Sequence, residues 1–125
     1  MGRSRTSAKQ AGTVFETQTA NYLADMLDDD RIERRARNGS KDRGDIGGVR
    51  CAAGRVVVEC KDVRKMSLSA WVEEAEVERG NDDAAVAVVV HKRTGYGAKN
   101  MGGTYVTMTL ENLAVLINGT REETP

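Results

Sequence analysis

Residues 44–61 read Gly44-Asp45-Ile46-Gly47-Gly48-Val49-Arg50-Cys51-Ala52-Ala53-Gly54-Arg55-Val56-Val57-Val58-Glu59-Cys60-Lys61. The second half is the clearest β segment of the chain, because Val56-Val57-Val58 is β-branched throughout. The first half, from about Asp45 to Cys51, reads as its partner strand, with Gly47-Gly48 marking a bulge or a close backbone approach. Ala52-Ala53-Gly54 supplies the turn, so the two strands form a hairpin. Side chains alternate along a strand, which puts Glu59 and Lys61 on one face and Val56, Val58 and Cys60 on the other. The hairpin also brings Asp45, at the start of its first strand, beside the end of the second, so Asp45 and Glu59 converge. Carboxylates that close repel unless a cation sits between them, and hard oxygen ligands favour Mg²⁺ or Mn²⁺. A metal held there can polarise a phosphodiester and activate water, while Lys61 stabilises the developing charge or positions the water. The bland alternative is a surface ion pair on a hairpin.

Upstream of the hairpin, a short strand is expected over Ile32–Arg35, followed by a polar loop from Arg37 to Gly44 that contains Asn38-Gly39-Ser40. Asp28-Asp29-Asp30 marks a turn after an amphipathic helix from about Gly12 to Leu27, whose stripe is Phe15, Thr19, Tyr22, Leu23, Met26 and Leu27. Glu16 aligns with Ala20, Leu23 and Leu27, close to the buried stripe. An acid there needs a cation or a donor, which makes Glu16 a third possible metal ligand, or else the partner of a nearby arginine. Residues 1–9 are expected to be a disordered basic arm, and residues 10–125 one domain.

Downstream, Ser67 is expected to cap a helix over Leu68–Arg79 and Gly80 to stop it. Trp71, with Leu68 and Ala75, reads as packing or dimer interface, and Glu73, Glu74, Glu76 and Glu78 as a solvated face, with the alternative that one of them joins the metal site. Ala84–Val90 is a continuous apolar run that suits a strand buried on both faces. His91, the only histidine, is expected at the strand end on the surface rather than in catalysis. A Gly-rich basic loop runs to Gly103, a last strand covers Thr104–Met108, and Thr109 caps a helix over Leu110–Ile117. The element order is α-β-β-β-α-β-β-α, an α/β domain with a central mixed β-sheet flanked by helices.

Composition narrows the function. Hydrophobic residues make up 39% and charged residues 30% of the 125, a globular profile. No apolar run reaches the roughly 18 residues of a membrane span. Met1–Lys9 has no apolar core behind it, so a secretory signal is not expected. Cys51 and Cys60 are too few for a disulfide framework, and a reducing cytoplasmic setting is expected. The zero formal charge conceals an asymmetry: residues 1–65 hold 14 Lys/Arg against 10 Asp/Glu, residues 66–125 hold 5 against 9. Arg34, Arg35, Arg37, Lys41 and Arg43 precede Asp45, and Arg64 and Lys65 follow Lys61. Such residues suit phosphate contacts that give affinity without base readout. With five aromatics, mostly on core-like stripes, a single-strand stacking platform is not expected.

The set Gly44-Asp45 … Val57-Val58-Glu59-Cys60-Lys61 resembles the signature of the PD-(D/E)xK nuclease superfamily, with Asp45 as the first acid, Glu59-Cys60-Lys61 as (D/E)xK and Gly44 in place of the proline. Within it, residues 8 to 92 look most like the archaeal-type Holliday junction resolvases and their phage-borne relatives. Those proteins carry a Glu in the first helix, a Gly-Ser loop, the Asp and then Glu-x-Lys, positions filled here by Glu16, Asn38-Gly39-Ser40-Lys41, Asp45, Glu59 and Lys61. The resemblance implies a restriction-endonuclease-like core. It also implies a homodimer that cuts four-way DNA junctions symmetrically with Mg²⁺, in recombination or repair, in a prokaryote or its phage. Ser40 would touch the scissile phosphate or shape the loop that carries Asp45. The alternatives are another nuclease of the superfamily (a nickase, a restriction-type enzyme or a repair nuclease), or a non-catalytic DNA-binding protein on this scaffold.

Overall fold

A computed structural model describes residues 4–36 and 42–122. The first helix, α1, covers Arg5–Leu27. Three short strands follow, β1 (Glu33–Arg34), β2 (Ile46–Gly47) and β3 (Arg50–Cys51), then the long strand β4 (Gly54–Lys61). Helix α2 (Leu68–Asn81), strand β5 (Val86–His91), a 3-10 turn (Met101–Gly103), strand β6 (Tyr105–Thr107) and helix α3 (Leu110–Asn118) complete the chain. The sheet is six-stranded in the order β1-β2-β4-β5-β6, with β3 also paired to β4. β4 and β5 run parallel and every other pairing is antiparallel, so the sheet is mixed. Among the described residues no helix is long and apolar enough to cross a membrane.

The valine runs set the centre. All six residues of β5 are buried, as its apolar run requires once α1 covers one face and α2 the other. Val58, Val86, Val88 and Val90 pack on the side of Phe15 and Ala20 of α1, while Val57, Ala87 and Val89 pack with Trp71 and Ala75 of α2. The even and odd positions of β4 and β5 thus serve two separate cores, the alternation expected of a pleated strand. Trp71 is core, 5.7 Å from the His91 ring. His91 is buried rather than superficial, and its Nε2 is paired with Thr107 Oγ1 at 2.8 Å. The β6 partner strand closes over the end of β5 and takes that histidine inside.

Several boundaries differ from the sequence expectation, each for a local reason. α1 begins at Arg5, so Arg5–Lys9 are helical; Ser4 caps it by accepting from the Ser7 N–H at 3.1 Å. Its stripe fades at the other end, where Met26 and Leu27 are exposed and the packed residues stop at Ala24. α2 continues through Gly80 to Asn81, and the left-handed residue beyond it is Asp83 (φ 49). Ser67 makes no side-chain cap, whereas Thr109 does cap α3, accepting from the Asn112 N–H at 3.0 Å.

α3 does more than cover a face. β6 pairs only with Val89–His91, which leaves the earlier edge of β5 without a strand. Asn112 Nδ2 donates to Ala87 O at 3.2 Å, and Arg121 Nε donates to Ala85 O at 2.7 Å. Side chains from α3 and the segment after it therefore satisfy the edge carbonyls that a longer β6 would have taken, a way of closing an edge without a strand.

The expected irregularity at Gly47-Gly48 splits the first hairpin strand into β2 and β3. Gly48 has φ +90, and a Cβ there would stand 2.5 Å from Arg31 O. Gly48→Ala should cost about 3 kcal/mol, from left-handed strain plus displacement of the Arg31–Ile32 backbone. A chemical denaturation midpoint within error of the unsubstituted protein would refute this reading of the bulge.

Candidate functional site

β4 carries Glu59 and Lys61 onto the α2 side, and the β2–β4 register (Ile46 opposite Val58) brings Asp45 opposite Glu59. Asp45 is held on three sides. Its N–H donates to Val58 O at 2.9 Å, its carbonyl accepts from Arg35 N at 2.7 Å, and its Oδ2 accepts from the Cys60 N–H at 2.8 Å. The turn into it depends on Gly44, whose φ is +96 and whose missing Cβ would lie 3.0 Å from Val57 Cγ1. Proline, with φ fixed near −65°, has no access to that conformation. Glycine at this position is thus a requirement of this particular turn.

The three residues read from the hairpin meet in one cleft of ≈ 370 Å³, whose lining includes Glu16, Arg34, Asp45, Glu59, Lys61 and Glu74. Glu59 is 3% exposed and its Oε1 has no hydrogen-bond partner. Burial, followed by contact with Asp45, drives its carboxyl far above the usual carboxylate range. Lys61 Nζ lies 2.7 Å from Glu74 Oε2 and 3.6 Å from Glu59 Oε2. Desolvation opposes its charge, but the hydrogen bond to Glu74 and the neighbouring acids outweigh that and raise its pKa. The ammonium is thus kept charged at the floor of an acidic cleft.

Glu16 comes from α1, on the other face of the sheet, and lines the same cleft. It pairs with Arg34 at 3.2 Å. Burial and then Asp45 raise its pKa, against the lowering effect of Arg34. Of the two sequence alternatives for Glu16, the pair with an arginine is formed, and the side chain also lines the cleft that holds Asp45 and Glu59. Cys60 turns its thiol toward the α1 side, where burial and then the charge of Asp45 hold its pKa high, so it has no thiolate to offer.

The acids of α2 are the main correction. Of Glu73, Glu74, Glu76 and Glu78, expected to form a solvated face, Glu73 and Glu74 are exposed, Glu76 is half-buried and Glu78 is buried. Glu76 pairs with Arg79 at 2.5 Å and accepts from Asn112 Nδ2 at 2.9 Å. Glu74 holds Lys61, and Glu78 is 1% exposed with neither carboxylate oxygen hydrogen-bonded. Burial and the adjacent Asp42 raise the Glu78 pKa. Ligand oxygens of Asp42, Glu59, Glu74 and Glu78 all lie within 4.8 Å of one another. The signal was in the sequence: Trp71, Glu74, Ala75 and Glu78 follow one another at i, i+3, i+4 and i+7, so a helix that buries Trp71 and Ala75 turns both glutamates inward. Asp42 gave no periodic signal, since it lies in a loop. Its Oδ1 accepts from the Gly44 N–H at 2.9 Å, an Asx-type turn that leads into Asp45.

The basic residues divide by position. Arg34 and Arg35 line the cleft, but both are engaged. Arg35 Nη1 donates to Arg43 O at 2.8 Å, and its guanidinium lies over Gly47, with Nε 3.2 Å from where a Cβ would be. Arg43, Arg64 and Lys65 are exposed. Arg37, Ser40 and Lys41 lie outside the described residues.

No protein-family model matches this chain, and no curated protein or solved structure matches it either.

Proposed function

We propose that the protein is a Mg²⁺-dependent DNA endonuclease with a PD-(D/E)xK-like core, selective for branched duplexes such as four-way junctions. The observation that carries this reading is the convergence of Asp45, the buried Glu59 and Lys61 in one cleft rimmed by arginine. The order of elements supports it: a helix, an antiparallel ladder β1-β2-β4, a helical crossover, and a strand parallel to β4. Asp45 and Glu59 would hold the metal, with Glu16 beside them, and Mn²⁺ would substitute. The fit rests on the chemistry present: hard oxygens only, one of them a buried Glu59 oxygen with no donor from the chain.

A bound Mg²⁺ supplies Lewis acidity to the phosphodiester and a more acidic water. The chain's own part is positional and electrostatic. The Cys60 N–H fixes the Asp45 carboxylate. Lys61 offers an ammonium to the phosphorus oxygens as charge builds on them. Arg34 and the exposed Arg43, Arg64 and Lys65 attract the backbone without reading bases. Two symmetric cuts require two sites, so the same reading includes a C2 homodimer. The exposed Leu110, Leu113, Leu116 and Ile117 of α3 are the apolar surface available for it.

The deciding experiment incubates a labelled four-way junction, and a linear duplex of the same arm sequence, with the protein in Mg²⁺ or in chelator. Paired cuts in the junction that require Mg²⁺ are expected. Cleavage of the linear duplex alone would instead identify a nickase or restriction-type enzyme. Binding without cleavage in Mg²⁺ or Mn²⁺ would identify a DNA-binding protein on this scaffold.

A further inference from the structure

The α2 side of the cleft holds more carboxylate than the reaction centre just described accounts for. Asp42, Glu59, Glu74 and Glu78 present oxygens within 4.8 Å of one another, and the ammonium in contact with them is that of Lys61. If all four ionise, three formal negative charges are left over among the described residues at that spot. Glu78 makes the arrangement specific. It is 1% exposed, and among the described residues no N–H or hydroxyl donates to either of its oxygens, although nearly every buried polar atom in a folded protein is paired. What faces it is carboxyl, Asp42 on one side and Glu59 on the other. A glutamate kept only for packing would be replaceable by an apolar residue with a gain in stability.

We infer that Asp42, Glu59, Glu74 and Glu78 form a seat for a divalent cation of the Mg²⁺/Mn²⁺ class on the α2 face, with Glu78 as its innermost ligand. Oxygen-only ligation by carboxylates, with one member at the solvent rim, matches how such hard ions are held. Glu74 occupies the rim at 44% side-chain exposure, while Glu78 is 1% exposed and lies behind the residues that line the cleft. Because Glu74 also grips Lys61 at 2.7 Å, a cation that takes the Glu74 oxygen releases the ammonium toward the open cleft. Cation binding and the position of Lys61 are thereby coupled. The site shares Glu59 with the proposed nuclease centre, but it does not depend on a nucleic-acid substrate.

The test needs no DNA. Mn²⁺ binding to the full chain is followed by the loss of the free-ion paramagnetic resonance signal, and thermal unfolding is recorded with and without Mn²⁺. Glu78→Gln, nearly the same size, should weaken Mn²⁺ binding by about tenfold or more, since one charged ligand is lost. It should abolish most of the thermal shift that Mn²⁺ produces, and leave the metal-free midpoint as high as before or higher. Glu74→Gln, at the exposed rim, should weaken binding by a smaller factor without changing the fold. Mn²⁺ affinity of Glu78→Gln equal to that of the unsubstituted chain would overturn the assignment and leave the Asp45–Glu59 reading standing. A lowered metal-free midpoint with unchanged Mn²⁺ affinity would make Glu78 a structural residue and overturn it as well. Absence of Mn²⁺ binding by the unsubstituted chain would sink both the seat and the metal-dependent nuclease. Mn²⁺ binding lost in Glu78→Gln together with no cleavage of any DNA would sustain the seat and remove the nuclease.

Discussion

Asp45→Asn should abolish Mg²⁺-dependent cleavage of a four-way junction, by about three orders of magnitude or more, while the protein remains folded. The substitution keeps the shape and, through its carbonyl oxygen, the acceptor for the Cys60 N–H that fixes this side chain at 2.8 Å. What it removes is the negative charge that a divalent ion requires of a ligand. Glu59→Gln should match it in rate. The metal-free stability of Glu59→Gln should change little, because burial and Asp45 keep the Glu59 carboxyl protonated in the absence of metal and the amide is a close neutral replacement for it. Junction binding should persist or tighten in both, since carboxylate–phosphate repulsion falls. Gel-shift titration beside single-turnover cleavage separates the effects. Cleavage within a few-fold of normal by either variant would remove that residue from the reaction centre.

The hairpin was legible because three kinds of signal agreed on it. Val56-Val57-Val58 specified a strand, Ala52-Ala53-Gly54 a turn, and the two-residue alternation of side chains put Glu59 and Lys61 on one face. The structure places them there, and brings Asp45 to the same end of the sheet. β5 was equally plain, since an unbroken apolar run of its length has no solvated face to show. Glu78, and in part Glu76, departed from the solvated face expected of the α2 acids for a reason that is also physical. A charged residue on a helix is by default assigned to solvent, and four glutamates among six residues outvoted the stripe formed by Trp71, Glu74, Ala75 and Glu78. The role of α3 at the β5 edge was hidden for another reason: it depends on β6 being only three residues long, and strand ends are the least determined feature of a sequence pattern.

Loop geometry stayed out of reach for similar reasons. A glycine in place of proline before Asp45 reads in sequence as a neutral variation. In three dimensions Gly44 carries a positive φ and packs against Val57 and the Val58 carbonyl, so the chain reaches Asp45 by a turn that proline forbids. Asp42, two residues earlier, makes that turn by accepting from Gly44 N–H, and the same geometry brings its carboxyl to Glu78. Neither fact follows from periodicity, because loops have none. Both bear on the site more directly than any helix boundary.

Lys61→Met should slow junction cleavage by about two to three orders of magnitude and change affinity for the junction by less than about threefold. The split follows from where the charge is needed. In the structure Lys61 is paired with Glu74 at 2.7 Å, so on the nuclease reading it would add little to the potential that draws a phosphate backbone from solution, a part proposed for the exposed Arg43, Arg64 and Lys65. On that reading its contribution would come when negative charge grows on the phosphorus oxygens, and an interaction made chiefly in the transition state appears in the rate rather than in binding. Methionine retains the unbranched stem and its packing while removing the ammonium. The same substitution leaves Glu59 and Glu74 without their counter-charge, so the metal-free protein should lose stability while its affinity for Mn²⁺ rises. Arg64→Ala provides the contrast, with weaker binding at low salt and a nearly normal rate at saturating DNA. A loss of affinity for Lys61→Met as large as its loss of rate would make Lys61 an ordinary phosphate contact and break the parallel between its position and its role.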